Sequence, residues 1–170
     1  EIISYCGHII LNSKNQLYKY RDKILSAGKK IGLRINPECS TQEGHEIYDP
    51  CSPKSRLGIT LKNFAEIDLT GVSGIHFHTL CEQNSDDLEK TLNAIEEKFG
   101  KYLYDMEWIN FGGGHHITRE DYDIKKLLLC IKRIKEKYNL EVFIEPGEAF
   151  ALNSGYLVTT VLDITENDMP

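Results

Sequence analysis

Residues 108–116 read WINFGGGHH. A short apolar run breaks off into three glycines and two histidines. Further on, Ile124, Leu127, Leu128, Ile131 and Ile134 recur at helical spacing. That sequence of strand, glycine turn and amphipathic helix is the unit from which the rest of the chain reads outward.

The same unit repeats on both sides. Upstream, residues 74–78 (GIHFH) predict a strand. Ser85 then opens a helix with Leu88, Leu92, Ile95 and Phe99 on one face, stopped by Gly100. Earlier still, residues 8–11 form an apolar run. Ser13 with Gln16 three residues on is a capping-box pattern, and Leu17, Tyr20 and Ile24 carry the helix to Gly28. Residues 31–35 (IGLRI) predict the next strand. A loop-rich stretch over 36–55 contains Pro37, Pro50 and Pro53, and residues 61–67 suit a short helix. Downstream, Thr118 and Asp121 suggest a cap, and residues 141–144 predict a fifth strand. Residues 156–164 (YLVTTVLDI) read as a longer strand with no helix after it.

Strands alternating with helices imply right-handed crossovers and a parallel sheet, an α/β protein. An open doubly wound sheet and a closed (β/α) barrel both satisfy that pattern. Five strand–helix units are visible where a barrel needs eight, so both ends read as cut.

Composition is ordinary for a soluble domain: 170 residues, 41% hydrophobic and 27% charged. A net charge of −6 argues against a general nucleic-acid partner. The basic stretch over 125–137 alternates with leucine and isoleucine and reads as a solvated helix face. No apolar stretch is long enough to span a bilayer, no signal peptide is expected within the chain, and its first residue is Glu1 rather than methionine. Five scattered cysteines without a C-x-x-C suit a reduced, cytoplasmic protein.

The chemistry collects at strand ends. One strand ends in His76-Phe77-His78, the next in Asn110-Phe111-Gly112-Gly113-Gly114-His115-His116, the third in Glu145-Pro146-Gly147-Glu148. In a parallel barrel those ends share the catalytic face. Glycines at 112, 113 and 114 let the backbone approach an anion, and a helix after them adds a favourable dipole. The run is neither a P-loop nor a Rossmann fingerprint. His76 and His78 fall on one strand face, so a metal site with His115 and His116 is conceivable. Carboxylates to complete a metal's ligand set are not evident at matching strand ends, however, and no metal is assigned. Glu145 closes a buried apolar strand and needs a partner, as does Arg34 within IGLRI. Cys81 reads as a small residue near a ligand rather than a nucleophile.

Taken together, GLRINPE, SRLGI, GIHFHTLCEQ, NFGGGHHIT and EPGEA resemble, in order and over nearly the whole chain, the fold-type III pyridoxal phosphate decarboxylases. HFHTLCEQ, GGGHHIT and EPGEA are most similar to the carboxynorspermidine/carboxyspermidine members. The resemblance implies an alanine racemase-like (β/α) barrel, of which about the last five units lie in residues 1–152. Residues 153–170 would enter a C-terminal β domain. It implies pyridoxal 5′-phosphate as cofactor, a homodimer, and decarboxylation of carboxynorspermidine or carboxyspermidine to the triamine in polyamine (spermidine) biosynthesis.

Residue by residue, His78 matches the histidine against the cofactor ring and Glu145 the acid at the pyridine nitrogen. Gly112, Gly113 and Gly114, with Gly147, match the phosphate turn, and Arg34 matches an arginine near the ring. Arg56 lies where relatives carry a basic residue. Glu148 replaces the arginine that often supports the phosphate, and with Cys81 it falls on the substrate side, where an acid suits a substrate amine. The family's Schiff-base lysine and its C-terminal catalytic cysteine match no segment here. A diaminopimelate or other basic amino-acid decarboxylase shares the implied mechanism. A metal-dependent barrel hydrolase and a non-catalytic pyridoxal phosphate-binding barrel are the readings outside it.

Overall fold

The computed structural model describes residues 1–42, 49–52 and 54–165. Parts of the loop stretch expected over 36–55, and the last five residues of the expected C-terminal segment, lie outside the described residues. The elements run α1 (Ile2–Tyr5), β1 (His8–Leu11), α2 (Lys14–Ser26), β2 (Lys30–Arg34), α3 (Leu61–Phe64), β3 (Val72–His76), α4 (Ser85–Leu103), β4 (Trp108–Asn110), α5 (Ile124–Tyr138), β5 (Glu141–Phe143) and α6 (Gly147–Ala151).

All five strands pair in parallel, in the order β1-β2-β3-β4-β5. A doubly wound sheet reverses its strand order part-way, and this one never does. Each crossover moves the chain one place along on the same side, so the helices collect on one face. Alternation along the strands then divides their side chains. Ile31, Leu33, Ile75 and Ile109 join Leu17 and Ile24 of α2, Phe64 of α3, Leu92 and Phe99 of α4, and Leu127 and Ile134 of α5 in one buried cluster.

The opposite face is built differently. Gly32 and Gly74 sit there side by side in register, next to Trp108. A Cβ on Gly32 would lie 2.3 Å from the indole, and one on Gly74 2.0 Å from it. The indole thus occupies the space that two side chains would otherwise fill. His8 meets it edge-on at 4.9 Å and Phe143 at 6.0 Å, and its Nε1 donates to Ser73 Oγ at 3.1 Å.

Helix boundaries follow local chemistry, with some departures from expectation. Ser13 caps α2, its Oγ accepting from Gln16 N at 3.2 Å, while Gln16 Oε1 accepts from Asn12 N at 2.7 Å. Ser85 opens α4 as expected, with Asn84 as its cap, and Asn84 Oδ1 also accepts from Asp123 N, joining the starts of α4 and α5. Gly100 does not stop α4, which runs on to Leu103. A Cβ at 100 would lie 3.3 Å from Tyr138 Oη, so the glycine makes room for α5 instead. The cap of α5 is Asp123 rather than Thr118 or Asp121. No helix therefore follows glycines 112, 113 and 114 directly, since residues 115–123 intervene before α5.

Residues 156–164 form no strand. Tyr156, Leu157, Val158 and Leu162 are more than nine-tenths exposed and meet no sheet edge among the described residues. A strand exists only through its ladder, and the sequence pattern alone cannot supply one.

Replacing Gly74 with alanine should drive a methyl group into the Trp108 ring. Chemical denaturation should show a loss of about 1–3 kcal/mol, and more if the indole cannot shift.

Candidate active site

The parallel register sets Arg34, His76 and Asn110 beside one another at the carboxyl ends of β2, β3 and β4. Backbone bonding continues past the strands. Phe77 N donates to Asn110 O at 3.0 Å, Phe111 N to Phe143 O at 2.9 Å, and Glu145 N to Gly112 O at 2.8 Å. This extension carries His78, the glycine turn and Glu145 to the same end of the sheet.

The Glu145 carboxylate is held from two sides. Asn110 Nδ2 donates to its Oε1 at 2.8 Å, and His76 Nε2 lies 3.7 Å from its Oε2. Asn110 and His76 are buried, whereas the Glu145 side chain is 47% exposed. The carboxylate therefore has a fixed base and an open outer side.

Burial pushes the His76 imidazole down to about 4, with the Arg34 charge adding to the effect and Glu145 opposing it. His78 is also lowered, by burial first and then by Arg34. Burial likewise lowers His115, whose Nε2 lies 3.3 Å from Phe111 O. Arg34 is itself lowered by burial, and its Nη2 lies 3.5 Å from His78 O. At neutral pH the site thus holds neutral imidazoles between one guanidinium and one carboxylate.

The glycine turn is shaped first by protein contacts. Gly112 and Gly114 take φ values of 70° and 81°. A Cβ on either would lie 2.3 Å from Phe77 O or 2.2 Å from Leu80 O. Gly112 N donates to Asn110 Oδ1 at 2.8 Å and Gly113 N to His78 Nδ1 at 3.2 Å. Two of the amides expected to face an anion are engaged inside the protein. Gly147 N likewise donates to Glu145 O at 2.8 Å.

Glu148 faces His116, with Oε2 at 3.3 Å from the buried Nε2. Thr118 Oγ1 donates to Ala149 O at 2.7 Å, so the segment after the glycines is tied to α6. Cys81 is exposed, next to the glycine turn, and its N–H donates to Gln83 Oε1 at 3.3 Å. Arg56 lines a separate hollow at the start of α2 with Asn12, Lys14 and Glu66. The sequence pattern gives Asn110 no role, and it names His116 only within a conceivable metal site. The available signal was a polar residue closing an otherwise apolar strand, Trp108-Ile109-Asn110. Among the described residues, no group of three or more histidines, cysteines or acids is placed to hold a metal ion.

No family model matches the chain. It is 46% identical over 168 residues to a carboxynorspermidine/carboxyspermidine decarboxylase of Campylobacter jejuni, covering 99% of this chain and 43% of that protein. The chain is a homologue of these decarboxylases. It is also 40% identical over 166 residues to a carboxyaminopropylagmatine decarboxylase of Synechocystis, covering 97% of this chain and 43% of that protein. The crystal structure of the Campylobacter jejuni carboxynorspermidine decarboxylase with norspermidine matches at a TM-score of 0.81 and 43% identity, over 98% of this chain and 42% of that one. A diaminopimelate decarboxylase structure, 19% identical, shares the fold at a TM-score of 0.59 over 84% of this chain and 37% of that one. The chain thus spans less than half the length of the decarboxylases it matches.

Neutral histidines in the folded site give a pH dependence of known sign. The unfolded chain takes up protons near the ordinary histidine value of 6.5, while folded His76 does so only near 4. Between those values the unfolded state binds more protons, so stability should fall as pH drops through that window. His76→Gln should flatten the slope, as read by chemical denaturation of the intact protein at a series of pH values.

Proposed function

We propose that the intact protein is a pyridoxal phosphate-dependent carboxy-lyase acting on a carboxylated polyamine, carboxynorspermidine or carboxyspermidine, in polyamine biosynthesis. The single observation that carries this reading is the Glu145 carboxylate, braced by Asn110 and His76 and open on its outer side beside His78. Homology supports the substrate class, since relatives at 46% and 40% identity are both named for carboxylated polyamine substrates.

The donor set fits the cofactor. A braced, half-open carboxylate suits a protonated ring nitrogen, and a neutral imidazole at His78 suits the face of a flat ring. Gly112, Gly113, Gly114 and Gly147 would hold the phosphate, which competes with His78 for the Gly113 N–H. Arg34, without a carboxylate partner among the described residues, adds positive charge at this end of the sheet. When bound, the cofactor supplies the electron sink that accepts the charge left by loss of carbon dioxide.

The chain's own residues hold the rest. Glu145 keeps a proton on the ring nitrogen, because its charge favours the cationic form. Asn110 and His76 fix the carboxylate. Glu148, on the exposed start of α6, takes a substrate amine, and Cys81 lies on the same substrate side. A cation favours that acid, and a phosphate is repelled by it.

Residues 1–152 belong to an alanine racemase-like barrel, and 153–170 lead into a C-terminal β domain. The exposed apolar side chains over 156–164 suit a segment that pairs elsewhere. The intact protein is a cytoplasmic homodimer in this reading.

Glu145→Gln in the intact enzyme should lower kcat for carbon dioxide release by about a hundredfold or more while leaving thermal stability near wild type. Near-normal turnover would refute the assignment. Glu148→Gln should raise KM for the polyamine substrate about tenfold with kcat little changed, and an unmoved KM would remove Glu148 from the substrate site.

A further inference from the structure

Asn110 touches both halves of the site. Its Nδ2 donates to Glu145 Oε1 at 2.8 Å, and its Oδ1 accepts from Gly112 N at 2.8 Å. The residue is 8% exposed, so water does not compete freely for either bond. Because the amide is engaged at both ends, its orientation is fixed. The N–H of Gly112 requires the oxygen on one side, which leaves the NH₂ to face the carboxylate.

We propose that Asn110 is a positioning residue for Glu145: its amide donates the hydrogen bond that aims the carboxylate at the cofactor ring nitrogen. The proposal rests on the cofactor reading of Glu145. An aspartate at 110 would still accept from Gly112 N, so the glycine turn would survive. It would also set a second acid against Glu145 at hydrogen-bond distance, and two such acids share a proton. The residue type at 110 therefore separates support of the turn from support of the carboxylate.

His76 completes the bracket. Its Nε2 lies 3.7 Å from Glu145 Oε2, on a side chain 7% exposed. Among the described residues, the ionisable groups seen to act on this cluster are Arg34 from β2, with Cys51 behind it, His78 beyond β3 and His115 beyond β4. None of them is a carboxylate, so an acid introduced at 110 is the new proton-sharing partner.

The test is titration of the intact apoprotein with pyridoxal 5′-phosphate, followed by cofactor absorbance across pH. The proteins are wild type, N110D, N110S, E145Q and the N110S/E145Q double variant, with thermal melting as the check on folding. N110D should weaken cofactor binding at least about tenfold at neutral pH, the scale of one hydrogen bond to a charged group. Its acid limb of binding should move to higher pH, because the paired acids release their last proton later. N110S should weaken binding in the wild-type background and add less than about twofold to E145Q, since its effect passes through the carboxylate.

Wild-type affinity with an unmoved pH profile in N110D would overturn the proposal. So would an equal N110S loss in both backgrounds, which would trace the effect to the glycine turn. If N110D does not fold, N110S and the double variant decide by the same criterion. If E145Q alone leaves the titration unchanged, the cofactor reading of Glu145 fails first, and that outcome differs from failure at Asn110 alone.

Discussion

A parallel ladder obliges Arg34, His76 and Asn110 to stand in one row, and the polar end of the molecule is organised around that row. None of the three can be moved by a rotamer change alone, because their backbones are locked into neighbouring strands. Glu145 arrives beyond the last strand and is received by Asn110 and His76. The carboxylate is therefore placed by strand register rather than by loop conformation. Burying an amide and an imidazole at strand ends carries a desolvation cost, which the bonds of Asn110 offset on both sides. His76 Nδ1 has no partner among the described residues, an unrelieved cost at the centre of the site.

The two faces of the sheet do separate jobs with different residues. The helix side is filled by isoleucine, leucine and phenylalanine in one continuous cluster, and stability resides there. The other side uses glycine where the core side uses isoleucine, so that Trp108 can lie flat across two strands. The candidate site lies one layer above that indole, at the strand ends. A mutation on the helix side would act through packing, whereas one on the strand-end row would act through charge and hydrogen bonding.

Much of this order was legible in the sequence. The β/α alternation, the positions of the five strands and the gathering of His78, Gly112 and Glu145 at one sheet end all follow from periodicity and strand-end composition. What was illegible depended on partners distant in sequence. Gly100 reads as a helix stop until Tyr138 is seen to need its space. Nothing local to the glycine run announces that Phe77, Leu80 and His78 pack against it. Asn110 carries only one local mark, a polar residue closing an apolar strand, and its partner is a carboxylate 35 residues away. The apolar pattern over 156–164 promised a strand, but a pattern gives a propensity and pairing needs a neighbour.

The aromatic layer of Trp108, His8 and Phe143 has a consequence for traffic. Trp108 is 1% exposed, and the space around it is already taken by the two glycine strands. The indole closes the glycine-lined face over β2 and β3. Whatever reaches the half-exposed Glu145 carboxylate therefore comes from the carboxyl end of the strands and not across the ring.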